Sequence, residues 1–158
     1  MTARRIAALI AGLWAGAMLC IAAFAAPDAF SLLDRADAGR FVNRLFMQEA
    51  YASLIAAGLL FALERHRTRD AAALGRGSVL SGDIMLIAGT LFCTVAGYFA
   101  VQPLMEAARA GQGAWSFGAL HAASAAMFAV KGVLVLILAW RLGRPANDAQ
   151  LKPSATTS

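Results

Sequence analysis

Few residues in this chain are equipped for chemistry, and those few stand inside apolar runs: Glu49, Gln102, His121, Ser124 and Lys131, with Arg44 beside them. An ionisable group within an apolar span costs several kcal/mol, so each is a functional-site candidate by default. Glu49 and His121 each lie about one helical turn inside their runs, entered from the same side, and Gln102 ends a third run at that level. Together with Asn43 and Arg44 they define one polar layer. A carboxylate near an imidazole there could take up and pass protons near neutral pH, or recognise a polar ligand. The structural alternative is an interhelical hydrogen bond that fixes register. His121, Ser124, Phe128 and Lys131 recur at i, i+3, i+7 and i+10, which places them on one helical face. That stripe descends from the polar layer to Lys131, the deepest charge in the chain. Lys131 must face the interior or meet an acidic partner. Asp83 approaches from the opposite side, about two turns short in depth.

Cofactor chemistry is less well supplied. A bis-histidine haem needs two histidines that can share an iron, and the second one, His66, falls in a loop on the opposite side. A methionine or thiolate would have to complete such a site. Met18, Cys20, Cys93 and His121 occupy the outer halves of three runs, but without the C-x-x-C or H-x-x-x-H spacing of a soft-metal site. No phosphate-binding loop, nucleotide fingerprint or hydrolase elbow occurs. The sequence therefore predicts no cofactor and assigns no enzymatic activity.

Four long elements must position these residues. Hydrophobic residues make up 60% of the 158 positions and charged residues 15%, against roughly 45–50% and 25% in soluble proteins. So small a soluble domain cannot bury that much apolar surface. Disorder and a disulfide-rich fold are excluded by the same composition. The net charge of +5 is scattered between apolar runs rather than gathered on one face with aromatics, which argues against nucleic acid. Four runs, at about residues 6–26, 45–63, 79–101 and 117–140, approach or exceed the roughly 20 residues that cross a bilayer. They are rich in Ala and Leu without alternation, so the expected fold is an all-α, four-helix transmembrane bundle with antiparallel neighbours. Residues 1–144 are expected to form that membrane domain and residues 145–158 a flexible polar tail.

Arg4 and Arg5 followed by Ala23-Phe24-Ala25 could mark a cleaved signal, but the length of the run and its Gly12, Trp14 and Gly16 favour a retained span. Nine Lys and Arg residues fall on the side of the termini against four on the other, so both termini are expected in the cytoplasm of a bacterial inner membrane. Pro27 is expected to end the first helix. Asp34 reads as the N-cap of the second, with Asp37 in its first turn and Arg40 and Arg44 at headgroup level. Gly12-x-x-x-Gly16, the Gly89/Cys93/Gly97 face and Gly118, Ala122, Ala125 and Ala126 offer close helix packing, within the bundle or in a homo-oligomer.

In order along the chain, Leu13-Trp14-Ala15-Gly16, Ala26-Pro27-Asp28-Ala29-Phe30, Ala38-Gly39 before Leu45-Phe46, Gln102-Pro103, and Phe117 through Leu120-His121 and Ser124 resemble a known pattern. It is that of the bacterial domain-of-unknown-function family related to eukaryotic transmembrane protein 205. The resemblance covers about residues 6–140 and implies a four-span membrane protein with no assigned activity. The eukaryotic relative's link to platinum-drug tolerance points toward transport or soft-ligand binding. Asp83 and Lys131 are not part of that pattern. The leading functional expectation is a protein of the lipid bilayer that binds or conducts a small-molecule ligand through its polar layer. A haem or soft-metal redox protein, and a structural partner of a membrane complex, stand as alternatives.

Overall fold

The computed structural model describes residues 3–73 and 81–144. The expected tail at 145–158 and the first residues of the third run lie outside them. The described residues form four helices: α1 (Ala3–Leu32), α2 (Arg35–Ala73), α3 (Gly82–Arg109) and α4 (Phe117–Gly143). Each is long and apolar enough to cross a membrane, and no strand occurs among the described residues. Neighbours in sequence pack together, and α4 closes the ring against α1. The diagonal pair α2 and α4 meets through long side chains across the middle.

Short connections and caps set the helix ends. Only Leu33 and Asp34 separate α1 from α2; the Asp34 carbonyl accepts from Ala38 N, and Asp37 sits in the first turn. Ser116 Oγ accepts from Ala119 N and Ser81 Oγ from Ile84 N, capping α4 and α3. Residues 110–116 turn through Gly111 and Gly113 at φ of 73° and 96°, a conformation that costs glycine no Cβ clash. At the other end, Arg4 donates to the carbonyls of Arg141, Leu142 and Arg144, satisfying the last turn of α4. We call these the loop end and the terminal end.

Pro27 does not end the first helix, which continues to Leu32, and Gln102-Pro103 does not close the third, which continues to Arg109. A proline ring within a helix collides with the carbonyl four residues earlier. Those carbonyls belong to Ala23 and Phe99. Both lie in widened, π-helical turns, Ile21–Ala25 and Val95–Ala100. The wider turn makes room for the ring, so the helix persists.

The core fills the terminal half of the bundle: Ala7, Ala11, Trp14 and Met18 of α1 pack with residues such as Leu60, Ile87 and Leu138. Gly12 and Gly16 are exposed, with open space where a side chain would stand. Each lies two residues from the buried Trp14, about 200° around the helix, and so on its opposite face. The α3 face does pack closely: a Cβ on Gly97 would stand 2.6 Å from Met127 Cβ, and one on Gly89 would stand 3.1 Å from Leu134 Cδ1. Gly118, Ala122, Ala125 and Ala126 of α4 are exposed.

Candidate functional site

Lys131 of α4 and Glu49 of α2 meet across the bundle diagonal. Lys131 Nζ donates to Glu49 Oε2 at 2.7 Å, to Glu49 Oε1 at 2.9 Å and to Ser53 Oγ at 3.2 Å. Ser53 Oγ donates to Glu49 Oε1 at 2.6 Å and accepts from Trp14 Nε1 at 3.0 Å. Every hydrogen of the ammonium is thus placed, and the hydroxyl spends one donor and two lone pairs. Lys131 is 3% exposed, Glu49 6% and Ser53 0%. Three helices are tied together at one buried point.

Asp83 is therefore not the partner of Lys131; it accepts from Arg141 Nε at 2.6 Å near the terminal end, where the arginine is half exposed. Glu49 likewise faces Lys131 rather than His121. The reason is depth. Glu49 and Lys131 are each the fifteenth residue of helices that run in the same direction, about 21 Å below the helix start at 1.5 Å per residue. Counting from the apolar run at residue 45 places Glu49 far too shallow. Ser53, four residues on, shares the inner face of Glu49, and that spacing is the signal by which it could have been found. Trp14 carried no comparable signal, since an indole in an apolar helix reads as packing.

Above this network a cavity of about 980 Å³ opens between the four helices toward the loop end. Glu49 and Lys131 form its floor, with Cys93 and Thr94 beside them. Higher up, Gln102 Nε2 donates to Asn43 Oδ1 at 2.7 Å, joining α3 to α2, and Ser124 Oγ donates to the Gly97 carbonyl at 2.7 Å, joining α4 to α3. Phe46 and Phe128 meet edge to face across the diagonal, with ring centroids 5.0 Å apart. At the mouth His121 stacks on Phe117, and the Arg109 guanidinium lies 4.6 Å from the Phe117 centroid.

Of the candidate residues, Glu49, Gln102, His121, Ser124 and Lys131 all line this cavity, at three depths rather than in one layer. Arg44 is exposed on α2 and does not line it. Arg35, Arg40 and Arg109 take that place at the mouth, and Arg40 also pairs with Asp37 on its own helix. The lining then holds four cations, Lys131 included, and among the described residues one carboxylate, which Lys131 already neutralises. Asp28, Asp34, Asp37 and Glu106, at the same end of the bundle, are exposed and outside the lining. With Lys131 and Arg40 each paired to a carboxylate, Arg35 and Arg109 are the charges that the cavity wall leaves available.

Cys20 is exposed on α1 and Cys93 buried, both as free thiols. Among the described residues no three His, Cys, Asp or Glu side chains gather as a metal-binding group.

A family model described as "Domain of unknown function (DUF4149)" matches residues 9–114, two thirds of the chain. No curated protein and no solved structure matches it.

Proposed function

We propose that this chain, which belongs to the DUF4149 family, is a multi-pass membrane protein that binds a small organic anion in the cavity between its helices. The observation that carries this reading is the placement of Arg35 and Arg109 on a partly aromatic wall, above a floor whose carboxylate is already paired. A volume of about 980 Å³ suits a small molecule, since ligand sites commonly run to about 300–1,000 Å³. Asn43, Gln102 and Ser124 are held by hydrogen bonds to other helices, so their orientation is fixed before a ligand arrives. Pre-ordering of this kind lowers the entropic cost of binding.

Binding is better supported than conduction. Below the floor, Leu60, Ile87, Val135 and Leu138 are almost wholly buried against α1. A charged solute passing through would have to displace that apolar plug. We place the protein in a bacterial inner membrane with both termini in the cytoplasm, following the Lys and Arg asymmetry, so that the cavity faces the periplasm. The kinship with transmembrane protein 205 rests on the ordered motifs alone and adds no residue to the site.

The test is the thermal stability of detergent-purified protein with hexanoate, benzoate or 8-anilinonaphthalene-1-sulfonate. Gly39 lines the cavity, and a Cβ there meets nothing within 4 Å, so Gly39→Trp should fill the space without disturbing the fold. At least one probe should raise the melting temperature of wild type and leave that of Gly39→Trp unchanged. Equal shifts in both proteins, or none in either, would refute the reading.

A further inference from the structure

A second, smaller hollow of about 250 Å³ lies along the outer seam of α1 and α4, among Met18, Leu19, Gly132, Val133 and Leu136. Its lining is almost entirely apolar. Ala22 and Phe128 line this groove and the large cavity alike, so these two residues stand between the two spaces. Ala22 falls within the widened turn Ile21–Ala25, where α1 has no buried residue. The boundary between the two spaces thus lies where α1 buries none of its side chains.

The geometry points to a long-chain fatty acid, a single-chain anionic amphiphile, as the ligand, entering from the side between α1 and α4. This rests on the anion-binding reading above and names its ligand class. The carboxylate would stand among Arg35 and Arg109 at the mouth, and the upper chain would pass between Phe46, Phe128 and Phe30. The rest of the chain would part Ala22 from Phe128 and enter the groove. Two observations select this occupant. The arginine-lined mouth complements one negative charge, at the level where long cationic side chains reach the headgroup layer. The groove lies on a seam that faces acyl chains in a bilayer, and its volume, a quarter of the cavity's, has room for one chain. A soluble anion would use the cavity and leave the groove empty.

The experiment uses full-length protein in phosphatidylcholine nanodiscs and a palmitate carrying a diazirine near its chain end, with cross-links mapped by mass spectrometry. Labels should concentrate on Ala22, Phe128, Ala129 and Gly132, the end of the groove nearest the cavity. Gly132→Phe, whose Cβ would meet Met18 at an ordinary 3.7 Å, and Val133→Trp, at an exposed position, should each cut that labelling at least fivefold. Arg35→Glu with Arg109→Glu should do the same. The thermal shift with hexanoate, a chain too short for the groove, should survive both groove variants. Labels spread evenly over all four helices, no loss in either groove variant, or equal labelling by the matching uncharged hexadecanol probe would overturn the proposal. If hexanoate still stabilises the protein in that event, the anion site stands and only the lateral route fails. If hexanoate, benzoate and 8-anilinonaphthalene-1-sulfonate all give no shift, both readings fail.

Discussion

Replacing Lys131 by methionine should destabilise the bundle far more than replacing Lys131 and Glu49 together. The side chain supplies two charged hydrogen bonds to Glu49, at 2.7 and 2.9 Å, and one to Ser53. Without it Glu49, 6% exposed in the intact bundle, keeps only the Ser53 hydroxyl among these partners. Hydrogen bonds to charged groups contribute about 1.5–3 kcal/mol each, so losing two costs about 3–6 kcal/mol. Removing one partner of a buried ion pair typically costs about 3–5 kcal/mol, which agrees. Lys131→Met with Glu49→Met leaves no stranded charge, and such paired replacements are often neutral or stabilising. The double variant should therefore lie within about 1 kcal/mol of wild type, and a double-mutant cycle should report a coupling of about 3 kcal/mol or more. Reversible unfolding of the four proteins in bicelles measures this. Additive losses, or a Lys131→Met cost below about 1 kcal/mol, would show that the pair is not buried as described.

Three further outcomes follow from the same geometry. Asp83→Asn removes an ion pair whose arginine is half exposed and should cost less than about 1 kcal/mol in the same assay. Gly97→Leu must push against Met127, where even a Cβ would stand at 2.6 Å, and should cost at least about 1–3 kcal/mol; Gly12→Leu, with open space around it, should leave stability unchanged. Trp14→Phe removes the Nε1 donor to Ser53 and should cost about 1 kcal/mol in the same assay.

Much of the bundle was legible because apolar length and Ala/Leu composition report directly on membrane-crossing helices. Helix ends were less so. Pro27 and Pro103 are ordinary stop signals, and no local pattern announces the widened turns that let the chain continue through them. The polar residues declared themselves by being costly where they stand, and five of the six candidates line one cavity. Their pairing was hidden by the choice of reference level. A polar helix start such as Arg35-Ala36-Asp37 adds 10 residues before the apolar run, about 15 Å of depth. Small residues misled for a different reason: Gly12 and Gly16 carry the spacing of a packing motif, but Trp14 takes the inner face and turns them outward.

The widened turns also explain why one half of the bundle is packed and the other hollow. Along α1 the buried stripe runs through Ala7, Ala11, Trp14, Ala15 and Met18, vanishes across Ile21–Ala25, and returns only at Ala29. Along α3 it runs through Ile84, Ile87, Thr90, Cys93 and Thr94, keeps only Gly97 in the widened turn, and returns at Met105. A turn wider than 3.6 residues shifts the phase of the inward stripe, so the helix beyond it no longer presents the same side to the core. Ala22 and Ala26 on α1, and Gly97 and Tyr98 on α3, border the cavity at these places. The change that accommodates each proline within a continuous helix thus also spreads the loop end. The Glu49–Lys131 pair sits at the boundary between the two halves: its long side chains span the widening diagonal where smaller apolar residues could not. The packed half anchors that pair, and the open half sets Arg35 and Arg109 on the cavity wall above it.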